Sequence, residues 1–413
     1  MKERPGERVP YSPWFLRLVL AALWALAFMP RLVVAQGVVD AGFDPQANGL
    51  VNGVVVQADG KAIIFGAFTT VAGQTRNRIA RINTDGSLDM GFNPNANAAV
   101  YSVGIAGSTV YVGGVFTSIG GQTRNRIAAL DAGTGLATSW NPDANNTVNS
   151  LAVAGGTVYV GGGFTSIGGQ TRNRIAALDA ATGLATSWNP NANNTVNSLA
   201  VAGGTVYVGG GFTSMGGQAR NRIAALDAAT GLATSWNPNA SNTVNSLAVA
   251  GGTVYVGGSF TSIGGQARNF IAALDAATGL PTSWDASADG TVRSIAVAGS
   301  TVYLGGLFTN IGGQSRSRIA ALDAATGLAT SWNPAADNAV YGIAVDGGRV
   351  YVGGDFTTIG GQARGRIARF APAAVPSGAL APIPTLNEWG LALLTGLVAA
   401  FAWAVHRKSA RVR

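Results

Sequence analysis

The sequence predicts an all-β fold: a β-propeller of seven four-stranded antiparallel blades with a period of 48 residues. One stretch of the chain recurs with light variation, and an aromatic anchor marks each copy. The anchors are Phe68, Phe116, Phe164, Phe212, Phe260, Phe308 and Phe356. The 59 glycines follow no collagen-like triplet, which favours turns and close packing in a β protein. A fixed spacing of this kind indicates one structural unit built seven times.

The third copy shows the elements of a repeat. Residues 147–156 alternate in polarity and end in a glycine turn, and the β-branched and aromatic run 157–167 follows, which predicts two strands joined by a tight hairpin. Residues 172–183 form a third run closed by Thr-Gly, and residues 184–194 form a fourth run stopped by Asn-Pro. Four short strands without a helix, at a period near 48, are typical of one propeller blade.

The order of these runs predicts how the repeats close. An aromatic residue marks each fourth strand, at Phe43, Phe92, Trp140, Trp188, Trp236, Trp284 and Trp332. The first marker precedes every complete repeat, and no fourth strand follows the last anchor. We therefore predict that the N-terminal strand completes the last blade, which removes two exposed sheet edges. An open solenoid is the alternative.

The repeats resemble a known family. The Asp-Gly hairpin at 57–61, the Gly-x-Phe-Thr core and the segment 77–94 are similar to delta-60 type repeats of bacterial exported propeller-like proteins. The resemblance covers nearly all of residues 37–370 and is clearest in the first repeat. It implies a fold and an exported setting, and it brings no catalytic residues.

The N-terminus has the three parts of a secretion signal. A net-positive opening precedes an apolar run over 15–29, and Val33 and Ala35 place small or modest side chains where a signal peptidase reads. This predicts a signal peptide over 1–35, cleaved after Ala35, and a propeller domain over 36–372. The alternative is an uncleaved membrane anchor.

The C-terminus predicts a sorting signal. Residues 373–382 form a Pro-rich linker, and residues 383–413 combine a short motif, an apolar run and a basic tail. The 17 residues 389–405 span about 25 Å as a helix, enough for a thin bilayer, and the basic tail keeps the C-terminus cytoplasmic. The motif resembles the IPTL-CTERM signal of Gram-negative bacteria at Ile383, Pro384, Thr385, Leu386, Glu388, Trp389 and Gly390. The resemblance implies processing by an exosortase-type membrane protease in species that make exopolysaccharide; a tail that only anchors the chain is the alternative.

The charge is concentrated at the two ends. Of the net +8, the first 35 residues and the tail from Glu388 carry +3 each, which leaves +2 for the repeats. A nucleic-acid-binding surface is therefore not expected.

Few residue types suited to catalysis occur in the repeats. The only histidine is His406, cysteine is absent, and glutamate does not occur between 36 and 387. Histidine-based triads, thiol catalysis and zinc clusters are thereby excluded from the repeats, and we expect no catalytic residue, metal or cofactor.

Two charged positions repeat with the fold. An aspartate ends the third strand and is expected to bind its own turn, with a ring of weak calcium sites as the alternative. These residues are Asp131, Asp179, Asp227, Asp275 and Asp323. An arginine is expected to pair between blades, with Asp or backbone carbonyls, and the alternative is a basic ring for an anionic polysaccharide. These residues are Arg76, Arg124, Arg172, Arg220, Arg268, Arg316 and Arg364.

One position varies where the framework repeats. The second residue of each first strand is an amide, a phenol or a guanidinium group, which suits sugar or peptide recognition near a channel mouth. The residues are Asn52, Tyr101, Asn149, Asn197, Asn245, Arg293 and Tyr341. Drift at a solvated position is the alternative.

The sixth repeat departs most from the pattern, because Asp285, Asp289 and Arg293 replace uncharged residues there. These residues are further candidates for ligand contacts and the best candidates for catalysis. We expect an exported, monomeric propeller at a Gram-negative cell envelope or surface, which binds a matrix polysaccharide or an envelope protein or acts as a scaffold. Its processing partners would be signal peptidase and the exosortase-type protease, and the C-terminal helix would hold it in the membrane before processing. A polysaccharide lyase or hydrolase, and a rigid spacer without ligand, are the alternatives.

Overall fold

The computed structural model describes residues 38–371. The predicted signal peptide with Ala35, the linker, and the sorting motif with its helix at 389–405 lie outside these residues. Within the described range, no helix is long and apolar enough to cross a membrane.

Each of the seven repeats contains a three-stranded antiparallel sheet with the second strand in the middle. The first strands are Val51–Val56, Val100–Ala106, Val148–Ala154, Val196–Ala202, Val244–Ala250, Val292–Ala298 and Val340–Asp346. The second strands are Ala62–Gly66, Thr109–Gly114, Thr157–Gly162, Thr205–Gly210, Thr253–Gly258, Thr301–Gly306 and Arg349–Gly354. The third strands are Ile79–Ile82, Ile127–Asp131, Ile175–Asp179, Ile223–Asp227, Ile271–Asp275, Ile319–Asp323 and Ile367–Phe370.

The fourth segment of each repeat pairs with the third strand over a short distance. In the second repeat, Ala137 forms a single bridge with Leu130, and the Thr138 amide donates a 2.9 Å hydrogen bond to the Ala129 carbonyl. The predicted four-stranded unit is therefore present, with an outer strand shorter than the sequence indicated.

A two-residue hairpin lies between the second and third strands, where the sequence predicted one continuous run. In the third repeat, Ser166–Ile167 pairs with Gln170–Thr171. Gly168 and Gly169 form the turn at φ values of 60° and 75°, the left-handed pair that a tight hairpin requires. The other hairpins are Thr70–Val71 with Gln74–Thr75, Ser118–Ile119 with Gln122–Thr123, Ser214–Met215 with Gln218–Ala219, Ser262–Ile263 with Gln266–Ala267, Asn310–Ile311 with Gln314–Ser315, and Thr358–Ile359 with Gln362–Ala363.

The apolar core lies between consecutive sheets. One cluster joins Tyr111, Ile127 and Trp140 of the second repeat to Val148 and Phe164 of the third, and all five side chains are buried. Equivalent clusters join the other consecutive repeats. Each sheet therefore buries both of its faces against its neighbours, as its near-continuous apolar second and third strands require.

The first and last repeats also pack against each other. One core cluster combines Val51 and Phe68 of the first repeat with Tyr351 and Ile367 of the seventh. The N-terminal Val39 forms an antiparallel bridge with Phe370, at the position that a fourth segment occupies in the other repeats. The amide of Asp40 donates to the Arg369 carbonyl at 2.8 Å.

Candidate functional site: a central cavity

A β-bulge interrupts the first strand of every repeat. In the third repeat, Val148 pairs with Gly162 and Ser150 with Gly161, so Asn149 between them has no ladder partner. The same shift occurs in the other six repeats. Bulges of this kind turn a side chain away from its normal direction and are common beside binding sites.

The bulged residues line a single cavity of about 310 Å³. One residue from each repeat contributes: Asn52, Tyr101, Asn149, Asn197, Asn245, Arg293 and Tyr341. These are the seven variable positions that the sequence singled out. The structure brings all of them together, at the place where the first strands of the repeats meet.

Three of the cavity amides are fixed by the neighbouring repeat. The Nδ2 atoms of Asn52, Asn149 and Asn197 donate to the backbone carbonyls of Val100, Val196 and Val244 at 2.9, 3.2 and 3.4 Å. A carbonyl can only accept, so these contacts fix the amide orientation and leave Oδ1 as the acceptor of each side chain.

The remaining wall of the cavity is aromatic and cationic. The guanidinium of Arg293 lies over the ring of Tyr341, with its central carbon 5.5 Å from the ring centroid. Arg293 and Tyr101 are exposed, whereas Tyr341 is half-buried. Asn52 and Tyr101 come from the first two repeats and Arg293 and Tyr341 from the last two, whereas the three repeats between them contribute Asn149, Asn197 and Asn245.

The acidic candidates of the sixth repeat lie elsewhere. Asp285 forms an ion pair with Arg268 at 3.5 Å, and neither Asp285 nor Asp289 is among the residues that line the cavity. The cavity therefore includes Arg293 but neither aspartate. Arg293 is turned into the cavity by its bulge, whereas the two aspartates belong to the loop that precedes the first strand.

Asp289 holds the hairpin of its own repeat. Its carboxylate accepts hydrogen bonds from the backbone amides of Thr309 and Asn310 at 2.7 and 2.9 Å, and from both of their side chains. Burial acts to raise the pKa of Asp289, but these hydrogen bonds outweigh it and hold the pKa well below its ordinary value. In the third repeat, Asn145 Oδ1 accepts from the backbone amides of Thr165 and Ser166 in the same way, and its Nδ2 donates to the Thr165 hydroxyl.

The repeated aspartates bind their own turns, as predicted. Asp131 Oδ1 accepts from the Gly133 amide and from both the amide and the hydroxyl of Thr134, at 3.1, 2.8 and 2.8 Å. The hydrogen bonds from Thr134 lower the pKa of Asp131. Among the described residues, no group of three His, Cys, Asp or Glu side chains is arranged to hold a metal ion.

The repeated arginines stabilise the outer segment of their own repeat. Arg124 donates from Nη1 to the Thr123 carbonyl and from Nη2 to the Thr138 carbonyl, at 2.7 and 2.6 Å. The partners are backbone carbonyls, as one part of the prediction stated, but pairing between blades is wrong for this residue. The cause is the short fourth segment, whose free carbonyls lie nearest the guanidinium group.

An aromatic pair makes the contacts between neighbouring repeats that sequence analysis missed. In the second repeat, Tyr111 and Trp140 meet edge to face at 5.1 Å. Trp140 Nε1 donates to the Asp179 carbonyl and the Tyr111 hydroxyl to the Ala180 carbonyl, both at 3.0 Å. The constant spacing of the two aromatic residues was the available signal.

The first repeat uses an arginine in place of this pair. Arg81 lies 4.4 Å from the centroid of the Phe92 ring, pairs with Asp89 at 2.9 Å and donates to the carbonyls of Ala132 and Gly133 in the second repeat. In the seventh repeat, Arg369 makes the corresponding contacts with Phe43 and Asp40.

Solved structures of low sequence identity share the fold. The computationally designed protein Ika8 is 14% identical, with a TM-score of 0.51, over 81% of this chain and 99% of that one. The WD40 β-propeller domain of Doa1 is also 14% identical, with a TM-score of 0.55, over 80% of this chain and 96% of that one. No curated protein is significantly similar in sequence.

Three family models match the chain. A domain of unknown function, the DUF5122 β-propeller, matches residues 57–92 and 109–132, and the IPTL-CTERM motif matches residues 381–411. These matches confirm the predicted propeller repeats and the C-terminal sorting motif. The third model, described as outer membrane protein assembly factor BamB, matches residues 124–372, more than half of the chain. Together they indicate an exported propeller of the cell envelope, and the chain belongs to the family of outer membrane protein assembly factor BamB.

Proposed function

We propose that this protein is an exported binding or scaffold module of the cell envelope or surface, and that it holds its ligand in the central cavity. One observation carries the proposal: a bulge in every repeat directs one side chain to the same cavity. The framework around the cavity is nearly constant, whereas the bulged residues differ in chemistry. Concave sites with a few convergent polar groups are where propellers and other folds hold ligands.

We also propose that the repeats, of the delta-60 type, close into a ring of seven blades. The support is the bridge between Val39 and Phe370, together with the ion pair of 2.7 Å between Arg369 and Asp40. At the same interface, a Cβ atom on Gly342 would overlap the backbone of Gly53, so the two first strands approach closely. Val39 then covers the edge of the last third strand, which would otherwise be open for pairing with another chain.

The proposed cellular location follows from the two ends of the chain. A signal peptide over 1–35 would direct export in a Gram-negative bacterium, and the helix over 389–405 would hold the protein in the membrane until an exosortase-type protease acts on the motif. The mass of the C-terminal peptide of the native protein tests this. A C-terminus that still ends at Arg413 would overturn processing and leave an anchored protein.

The proposed partners are an extracellular matrix polysaccharide or an envelope protein, and we propose that the propeller binds them as a monomer. We favour binding over a lyase or hydrolase activity because Asp285 and Asp289, the acidic candidates, are used in an ion pair and in hairpin contacts. A spacer without ligand would give no reason for the bulged side chains to converge.

Substitutions borrowed from other repeats test the cavity. Tyr101→Asn and Tyr341→Asn place in the cavity the residue that three consecutive repeats carry there, so the fold should be retained. We expect both variants of the full-length chain to lose binding to matrix polysaccharide or envelope fractions in pull-down assays. Leu136→Ala is the control, because Leu136 is exposed and does not line the cavity. Undiminished binding by both tyrosine variants would place the ligand elsewhere.

A further inference from the structure

The cavity is asymmetric, and its asymmetry indicates the class of ligand. We propose that the cavity binds the carboxylated end of an acidic saccharide; this inference rests on the proposed binding role of the cavity. The carboxylate pairs with Arg293, the sugar ring lies along Tyr341 and Tyr101, and the hydroxyl groups donate to the arc of asparagines.

Arg293 supplies the only formal charge among the seven lining residues. Among the described residues it forms no ion pair with an aspartate, whereas Arg81, Arg268, Arg364, Arg366 and Arg369 each do. Its planar guanidinium is held over the Tyr341 ring, and the fork of N–H donors matches a carboxylate. The cavity therefore favours an anion on this side.

The opposite arc consists of Asn149, Asn197 and Asn245. The amide groups of Asn149 and Asn197 donate from Nδ2 to backbone carbonyls of the next repeat, which leaves their Oδ1 atoms as acceptors. Asn197 Oδ1 also accepts from Asn149 Nδ2 at 3.5 Å and keeps its second lone pair for a ligand. A row of acceptors requires a ligand with several donors. The hydroxyl groups of a saccharide provide them, whereas a simple carboxylic acid does not.

The tyrosines make the third part of the match. Tyr101 and Tyr341 flank Asn52 in the ring, and each combines an apolar ring with a hydroxyl group. A pyranose has the same character, with apolar C–H faces and a hydroxylated edge. The volume of about 310 Å³ lies at the low end of the roughly 300–1,000 Å³ of ligand sites, which suits the end of a saccharide chain.

The experiment compares one saccharide in two charge states. Short oligogalacturonate and its fully methyl-esterified form are titrated calorimetrically into the full-length chain at low and high salt. We expect the acid to bind at least about tenfold more tightly than the ester, as expected for a charge-assisted hydrogen bond, and salt to weaken only the acid. Arg293→Asn introduces the residue of the preceding repeats. It should weaken binding of the acid by about 10- to 100-fold and leave binding of the ester unchanged.

Arg349→Thr is the matched control. This variant removes another exposed arginine. It introduces threonine, which the fifth and sixth repeats carry at the equivalent positions Thr253 and Thr301, so binding of the acid should not change. Equal affinity for acid and ester, or full acid binding by Arg293→Asn, would overturn the inference while cavity binding stands. Tighter binding of a peptide with a free C-terminal glutamate would overturn the saccharide class. No binding of either saccharide also overturns this inference, and the tyrosine variants decide the broader proposal separately.

Discussion

Trp188 Nε1 donates a hydrogen bond of 3.0 Å to the carbonyl of Asp227 in the next repeat. Trp140, Trp236 and Trp284 make the same contact across their own interfaces. The bond joins two sheets together with the Tyr159 hydroxyl, which donates to the Ala228 carbonyl at 3.1 Å, and the two contacts fix the relative register of the sheets. The Asp227 carbonyl thereby accepts a second hydrogen bond beside that of the Gly231 amide in its own turn.

Trp188→Phe should lower the free energy of unfolding by about 1 kcal/mol beyond the loss of packing, because the Asp227 carbonyl loses one of its two donors and keeps only the Gly231 amide at 2.9 Å. Trp332→Phe is the control, since among the described residues the Trp332 indole N–H has no acceptor and its ring packs on Phe370. Urea unfolding of both variants provides the comparison. Equal losses would show that the indole hydrogen bond contributes nothing.

Gly162→Ala should destabilise the protein by about 1–3 kcal/mol, because a Cβ atom at Gly162 would overlap the carbonyl oxygen of Thr147 on the paired first strand. Gly163→Ala is the adjacent control: its Cβ would lie 3.9 Å from the Asn146 side chain, and other repeats carry Ser259 or Leu307 at this position. Thermal unfolding measures both effects. A Gly162→Ala variant as stable as Gly163→Ala would contradict the close approach at the bulge.

Asp289 should make the stability of the protein depend on pH below about 4, which is the ordinary pKa of an aspartate in an unfolded chain. Hydrogen bonds from Thr309 and Asn310 overcome burial and lower its folded-state pKa, so its contribution is present above the unfolded pKa and is lost as pH falls. Asp289→Asn copies Asn145 and should lose less stability between pH 6 and pH 3 than the unsubstituted protein. Melting temperatures at the two pH values provide the measurement, and parallel losses in both proteins would refute the assignment.

Arg81 and Asp89 should show a favourable coupling energy of about 0.5–3 kcal/mol in a double-mutant cycle with alanine, since their side chains are only 8% and 13% exposed. Arg366 and Asp355 form a matched pair at 3.3 Å, with side chains that are 27% and 46% exposed. Solvent should reduce their coupling to about 1 kcal/mol or less. Denaturant unfolding gives both values, and the reverse order would contradict the stabilising role of the shielded pair.

Repetition made most of the fold predictable from sequence. The even spacing of Phe164 and Trp188 with their counterparts revealed the unit, and the early position of Phe43 indicated how the chain ends meet. The hairpin at Gly168 and Gly169 was missed because β-branched residues lead into it without a break, and only the left-handed backbone of both glycines ends the run.

The variable cavity residues were predictable as a set, but the reason for their convergence was not. Val148 and Leu151 are both buried although they are three positions apart. Because each sheet buries both of its faces, that spacing does not reveal a bulge, and the unpaired position of Asn149 is visible only in the structure. Asp289 and Arg293 are close in sequence, but only Arg293 lies at the bulge and lines the cavity. Asp289 lies in the preceding loop and accepts hydrogen bonds from the hairpin of its repeat.

The bulge also separates two kinds of constraint in this chain. Asn149 and its counterparts belong to no ladder pair, so changing one of them leaves the strand register of its repeat intact. The seven positions around the cavity can thus vary without a change in the strand pairing, while the glycines and aromatic residues beside them are held by packing. Gene duplication can copy the unit unchanged, and single substitutions at the bulge can then make the cavity between near-identical units unsymmetrical in its chemistry.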